Sequence, residues 1–257
     1  MDAFFVRSGP QLVATELTRG PWSNEHQHGG PPAALLAGAM ERAEPLAAEF
    51  RLVRVTVEFL RPVPIAALEV EAQVSRPGQR VQRLDASLRA AGVEVARASG
   101  LRLRKQTLPL AGPSGAPLLP LPETIPPFRF SFFRHAVGYH TAVDVRIARG
   151  EWARGPIDAW MRARVPLVEG EASSPVERVL IVADAESGVC PPLDPKGYSF
   201  VNPDLSVYFA REPRGEWVGM QIVSEAHADG IGLAQSALSD LHGGFGRAAQ
   251  SLVIAAR

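Results

Sequence analysis

Cysteine is nearly missing from this chain: Cys190 stands alone among 257 residues. A single thiol excludes an intrachain disulfide and any cysteine-based metal cluster, and it fits a reducing compartment. Placed before Pro191 and Pro192, Cys190 reads as a small apolar filler rather than a nucleophile. Net charge is missing too, because 27 Lys and Arg offset 27 Asp and Glu. With no excess of positive charge to hold polyphosphate, nucleic acid is not an expected partner. The start, MDAFFVRSGP, lacks a basic segment followed by an apolar run. The expectation is a cytoplasmic protein without a secretory signal. His26 and His28 have spacing that puts both rings on one side of an extended segment, but no third ligand is evident. His135, His140, His227 and His242 are scattered without ligand spacing, so neither a metal nor a cofactor is expected.

What the sequence does have is apolar content, 46% of its residues, enough for a substantial core. The centre of that core is the stretch His28 to Ala43, HGGPPAALLAGAMERA. From Pro31 to Met40 no side chain is charged and no polar face remains, so the spacing predicts a helix wrapped on all sides. Pro31 and Pro32 suit a first helical turn, Glu41 and Arg42 should mark the return to solvent, and Pro45 should stop the helix. At about 1.5 Å per residue this helix is roughly 20 Å long, too short for a bilayer. Gly29 and Gly30 allow close approach to backbone N–H groups at the positive end of the helix dipole, a place for an anion or a developing oxyanion. A tight turn feeding a core helix would leave the same residues.

The remaining chain is strand-rich. Short β-prone runs at 3–6 and 11–17 precede the helix, and alternating apolar residues over Arg51–Arg61, Leu68–Val74, Val81–Ala91 and Val93–Leu103 follow it. Ala91-Gly92 reads as a tight hairpin turn. Residues 106–130, rich in Pro and small residues as far as 127, read as a linker between units at 1–105 and 131–257. Beyond it come strand patterns at Thr141–Ile147 and Ile157–Val165, a second mostly apolar helix at Val176–Glu186, and further strands ending at Ala256. Sliding the chain by 150 residues superposes Phe59 on Phe209, Arg61 on Arg211, Leu88 on Leu238, Arg97 on Arg247 and Ala98 on Ala248, with the alternation in phase. The expected unit is a long antiparallel sheet curled around one apolar helix, present twice: an α+β chain of two curled sheets joined edge to edge.

On HGGPPAALLAGAMERA at 28–43, NPDLSVYFAREPRGEWVG at 202–219 and GRAAQSLVIAAR at 246–257, the chain resembles the double-hotdog acyl-CoA thioesterases of the thioesterase II type. The resemblance implies a tandem hotdog fold and hydrolysis of an acyl-CoA, with CoA entering only as part of the substrate. In that family an Asp, a Thr and a Gln position the attacking water. Matched by motif, the Asp is Asp204 and the Gln is Gln250, while the Thr position is taken by Glu225 with Ser224 beside it. Glu225 departs from the pattern, since a carboxylate cannot donate a hydrogen bond unless protonated. His28, Gly29, Gly30 and Ser224 are the expected substrate-binding residues. For Asp204 an Asx turn, for Gln250 a solvated strand position and for Glu225 a strand-end surface position are the plain alternatives. Trp22 and Trp217 read as core or interface packing. Two other functions share the layout: a hydratase or dehydratase using His28 as base, and an acyl-binding protein without chemistry. Further association is expected to give a homodimer.

Overall fold

The computed structural model describes residues 2–44, 49–110 and 118–257. In chain order the strands are β1 (Phe5–Ser8), β2 (Gln11–Ala14), β3 (Phe50–Phe59), β4 (Ala67–Arg76), β5 (Val81–Ala90), β6 (Val93–Arg104), β7 (Val143–Arg149), β8 (Ile157–Ala163), β9 (Tyr198–Val201), β10 (Asp204–Phe209), β11 (Val218–Ala226), β12 (Ile231–Asp240) and β13 (Gly243–Ala256). The helices are α1 (Gly30–Arg42), α2 (Tyr139–Ala142), α3 (Pro175–Ala183) and α4 (Glu186–Val189). All thirteen strands belong to one sheet, in the order β1-β2-β4-β5-β6-β3-β10-β13-β12-β11-β8-β7, with β9 paired to β13. The named strands pair antiparallel throughout. No helix among the described residues is long and apolar enough to cross a membrane.

Strand order is mirrored about the β3–β10 seam. Thr56 pairs with Ser206 there, 150 positions away, and the two hydroxyls lie 3.1 Å apart. The 150-residue offset is therefore a local two-fold relation, with β5 at 81–90 landing on β12 at 231–240. Ala91 and Gly92 both take positive φ, 48° and 77°, and so form the expected tight hairpin between β5 and β6.

The offset fails at the helices. Between α1 and β3 lie seven residues, 43–49, whereas sixteen, 184–199, separate α3 from residue 200, the position that matches Phe50. The gapless repeat thus holds for β3–β6 and β9–β13 only, and the longer connection of the second half carries α4 together with Asp184, Glu186 and Ser187. Part of the expected linker can be seen. Residues 118–130 lie against the second half, with Trp160 Nε1 donating to the Pro120 carbonyl at 2.7 Å and Phe128 N donating to Val145 O at 2.8 Å.

Helix α1 is buried around its whole circumference: Ala33, Ala34, Leu35, Leu36 and Ala37 are inaccessible. Strands β3 to β6 cover one side and α3 the other. Each of Leu35, Leu36 and Met40 contributes roughly 1.5–3 kcal/mol by leaving water. Glu41 does not return to solvent as the sequence implied. It is mostly buried beside Ser174, whose hydroxyl donates to it, and burial pushes its carboxyl up to about 7. Pro45, the expected stop, lies outside the described residues.

The two helices run antiparallel at contact distance because α1 offers glycine where α3 offers backbone and a buried carboxylate. A Cβ on Gly30 would overlap the Ile181 carbonyl, and one on Gly38 would overlap Glu177. Glu177 is held in turn by the Ser174 N–H at 2.8 Å, closing a capping box at the start of α3, and by Arg42 at 3.0 Å. Gly30→Ala should therefore force the helices apart and cost about 1–3 kcal/mol of stability, the usual range for overpacking. Urea unfolding of the variant checks this, and an unchanged midpoint would refute the close crossing.

Candidate active site

The crossing of α1 and α3 brings the start of one helix to the end of the other. There the chain surrounds a cavity of about 410 Å³, whose walls come from both halves and include Trp22, Phe59, Phe132, Phe133 and Phe200. The interior is aromatic, and its polar groups cluster at one point. Asp184, the residue that follows α3, is 4% exposed and opens onto the cavity. Its Oδ1 accepts from Asn202 Nδ2 at 2.7 Å, and its Oδ2 lies 2.9 Å from His28 Nδ1. Asn202 sits in the join between β9 and β10, so an α3 carboxylate and a sheet amide meet because the longer second-half connection spans that gap.

Gly29 closes the other side. A Cβ there would stand 2.7 Å from Asp184 Oδ2 and 2.7 Å from Phe59 Cζ, so only glycine lets α1 begin against the carboxylate. The His28 ring stacks face to face on Tyr139, centroids 3.7 Å apart, and the Tyr139 hydroxyl donates to Ile181 O at 2.9 Å. Burial, reinforced by the Asp184 charge, holds the Tyr139 phenol well above its usual range, so it stays a donor. His28 Nδ1 is also within 3.2 Å of the Gly30 N–H. A lone pair facing a carboxylate oxygen at 2.9 Å would be repulsive, so a proton lies between His28 and Asp184 and the Gly30 contact is the lesser one.

Gln250 is one layer deeper, 1% exposed, on the inner face of β13. Its Nε2 donates to Glu186 Oε2 at 3.1 Å and faces the Asp184 carbonyl at 3.5 Å, while its Oε1 faces Ser187 Oγ at 3.5 Å. Ser187 lines the cavity, and Gln250 does not. The equivalent positions in the first half are Leu52 for Asn202 and Gly100 for Gln250, and the space at Gly100 is taken by Met40, whose sulfur lies 2.6 Å from where a Cβ would stand. The polar cluster thus occurs in the second half and not at its mirror position.

Of the residues singled out in the sequence, His28, Gly29 and Gln250 come together around Asp184. Gly30 serves the helix crossing. Asp204 does not join them. Leu205 points into the core, so its neighbour Asp204 is on the outer face, where its carboxylate accepts from the Ser251 N–H at 2.7 Å. Strand alternation puts Asp204 and Gln250 on opposite faces of the sheet, and they cannot share one water. Glu225 is likewise exposed on β11, with His227 at 3.9 Å, and Ser224 faces the Cys190 thiol away from the cavity. Asp184, Glu186, Ser187 and Asn202 went unselected. The available signal was two carboxylates, Asp184 and Glu186, at the end of an otherwise apolar helical run. Among the described residues no three His, Cys, Asp or Glu side chains are placed to hold a metal ion.

Solved structures show the fold. A hot dog fold protein from Alicyclobacillus acidocaldarius is 17% identical with a TM-score of 0.75, covering 100% of this chain and 97% of that one. A putative thioesterase II from Thermobifida fusca is 16% identical with a TM-score of 0.72, covering 98% of this chain and 95% of that one. The tesB protein of Mycobacterium avium subspecies paratuberculosis is 18% identical with a TM-score of 0.69, covering 98% and 95%. The fold is an α+β hotdog fold. No curated protein matches the sequence. Residues 18–103 match the acyl-CoA thioesterase N-terminal domain and residues 116–254 the acyl-CoA thioesterase C-terminal domain, so the chain belongs to the acyl-CoA thioesterase family and is a thioester hydrolase. Gly29→Ala, which displaces the Asp184 carboxylate by the width of a methyl group, should lower turnover by about 10²-fold, the usual cost of a misplaced group. Circular dichroism should remain parental. Turnover that survives the substitution would mean that the Gly29–Asp184 contact is not part of the working site.

Proposed function

We propose that Asp184 is the general base of acyl-CoA hydrolysis, and that the family's Asp, Thr and Gln are represented here by Asp184, Asn202 and Gln250. The observation that carries this reading is the Asp184 carboxylate in an aromatic cavity, fixed by Asn202 at 2.7 Å and standing beside the start of α1. The Asn202 amide donates as a threonine hydroxyl would, so the donor that the motif count missed is supplied from a different residue. Asp184 takes a proton from water as the water oxygen bonds to the thioester carbon. The C–S bond then breaks, the acid leaves, and the proton passes to the CoA thiolate. The positive end of α1, at Gly29, faces the carbonyl oxygen as it gains charge, and His28 holds Asp184 from the other side. The aromatic walls take the acyl chain. CoA enters as substrate, and no cofactor or metal is needed for this chemistry.

The His28–Asp184 contact at 2.9 Å is also the pair a hydratase would use, so enoyl absorbance should be followed together with free thiol. Asp184→Asn should lower thioesterase turnover by about 10²–10⁴-fold while Asp204→Asn stays near parental. The opposite result would return the base to Asp204, and a parental rate in both would leave an acyl-binding protein.

The same reading includes a tandem hotdog, with units at 1–105 and 131–257 and the linker 106–130, a cytoplasmic location, and a homodimer. Val223, Ile231, Leu233 and Val253 are exposed on the second-half sheet; of the matching first-half positions Val81 and Leu103 are exposed and apolar too, while Gln73 and Arg83 interrupt the patch there. An apolar patch of that kind supports self-association through the second half. Light scattering at micromolar concentration should give the mass of two chains, and a single-chain mass throughout would refute the dimer.

A further inference from the structure

Behind Asp184 lies a second carboxyl that the hydrolytic step above does not use. Glu186 opens α4 and is completely buried. Its Oε1 is held by the Ser236 hydroxyl of β12, and its Oε2 accepts from Gln250 Nε2 at 3.1 Å. Among the described residues, no Lys, Arg or His nitrogen lies within 4.0 Å of it. The titratable groups that face it are Asp184, from the end of α3, and Cys190, from the end of α4. His28 and Tyr139 act on Asp184. A hydrophobic residue would fill such a place at lower cost, so the carboxyl calls for another explanation.

Gln250 supplies one. An amide has two ends of nearly equal shape, and its neighbours decide which end faces where. With Oε2 of Glu186 accepting, the NH₂ group of Gln250 must turn toward Glu186 and the Asp184 carbonyl, leaving the amide oxygen to Ser187. We propose that Glu186 is a positioning residue for the hydrolysis: by orienting the Gln250 amide it fixes the short segment that carries Asp184 and Ser187. The proposal rests on Asp184 being the base.

The arrangement depends on the state of Glu186. Burial pushes its carboxyl up to about 8, with the Ser236 and Gln250 bonds pulling it down and the Asp184 charge raising it. It carries its proton at pH 7, and since Oε2 accepts from Gln250 that proton is on Oε1, facing the Ser236 oxygen. Losing that proton puts a second negative charge directly behind Asp184, where it opposes the charge developing on the thioester oxygen. Turnover should therefore fall as pH rises through about 8. Stability follows the same sign: the folded value lies above the ordinary 4.5, so stability present at low pH is lost as pH rises from about 4.5 to about 8.

The test is the pH dependence of kcat and KM for an acyl-CoA in the parental enzyme and in Glu186→Gln, Glu186→Ala and Ser236→Ala. Glu186→Gln keeps an acceptor for Gln250 but cannot ionise. It should hold kcat at pH 6.5 within about fivefold and abolish the decline near pH 8, whereas Glu186→Ala should lower kcat by about 10²-fold with little change in KM. Ser236→Ala removes a bond that favours the ionised form, so the decline should move to higher pH. A decline that persists in Glu186→Gln overturns the proposal, as does parental kcat in Glu186→Ala. Should neither Glu186 variant fold, a decline that does not move in Ser236→Ala overturns it instead. Asp184→Asn separates the two readings: parental turnover there defeats the base assignment, while an inactive Asp184→Asn with an unaffected Glu186→Ala defeats only the role of Glu186.

Discussion

The close antiparallel contact between α1 and α3 is the constraint on which the site depends. Because Gly30 lets α1 approach the Ile181 carbonyl, the positive start of α1 meets the residue just past the end of α3, which is Asp184. Opposed helix ends attract modestly through their dipoles, and the carboxylate at that junction is held by Asn202 and His28 beside the start of the partner helix. A bulkier residue at 29 or 30 would separate the helices and with them the carboxylate from the cavity that faces it. Packing and chemistry thus use the same two glycines.

The sheet and the helices record the internal repeat differently. Strands must keep register with their neighbours, and a one-residue slip would turn every inner side chain outward, so the 150-residue offset survives intact from β4 to β6 and β11 to β13. Connections between a helix and a strand carry no such restriction. Nine additional residues between α3 and position 200 gave the second half α4 and room for Asp184, Glu186, Ser187 and Asn202 to converge. The first half kept Leu52 and Gly100 at the mirror positions and filled the space with Met40. One half accordingly supplies His28 and Gly29, and the other supplies the carboxylate and amides.

That cluster is also where burial and polarity conflict. Asp184, Glu186, Gln250 and Ser236 are all nearly inaccessible, and each is bonded to another member of the group. Buried polar groups that satisfy one another are stiff, and removing one leaves its partner unpaired at a cost of about 1–3 kcal/mol. Such a network can hold a carboxylate within tenths of an ångström of a working position, which a solvated loop cannot.

The sequence alone determined the buried helix at 28–43, the alternating strands, the Ala91-Gly92 turn and the 150-residue repeat of the central strands, since each is written in the spacing of apolar residues or in the conformational freedom of glycine. It also singled out His28, Gly29 and Gln250. What it could not determine was which carboxylate meets them. Asp204 carried the motif, yet strand alternation turns it outward beside Leu205, whereas Asp184 looked like the frayed end of an apolar helix and is carried into the cavity by the α1–α3 crossing. Asn202 and Gln250 are 48 positions apart, and neither is near His28 in the chain. Contact between residues so distant depends on how helices cross and how far a connection can reach, and those are properties of the packed structure rather than of any local pattern.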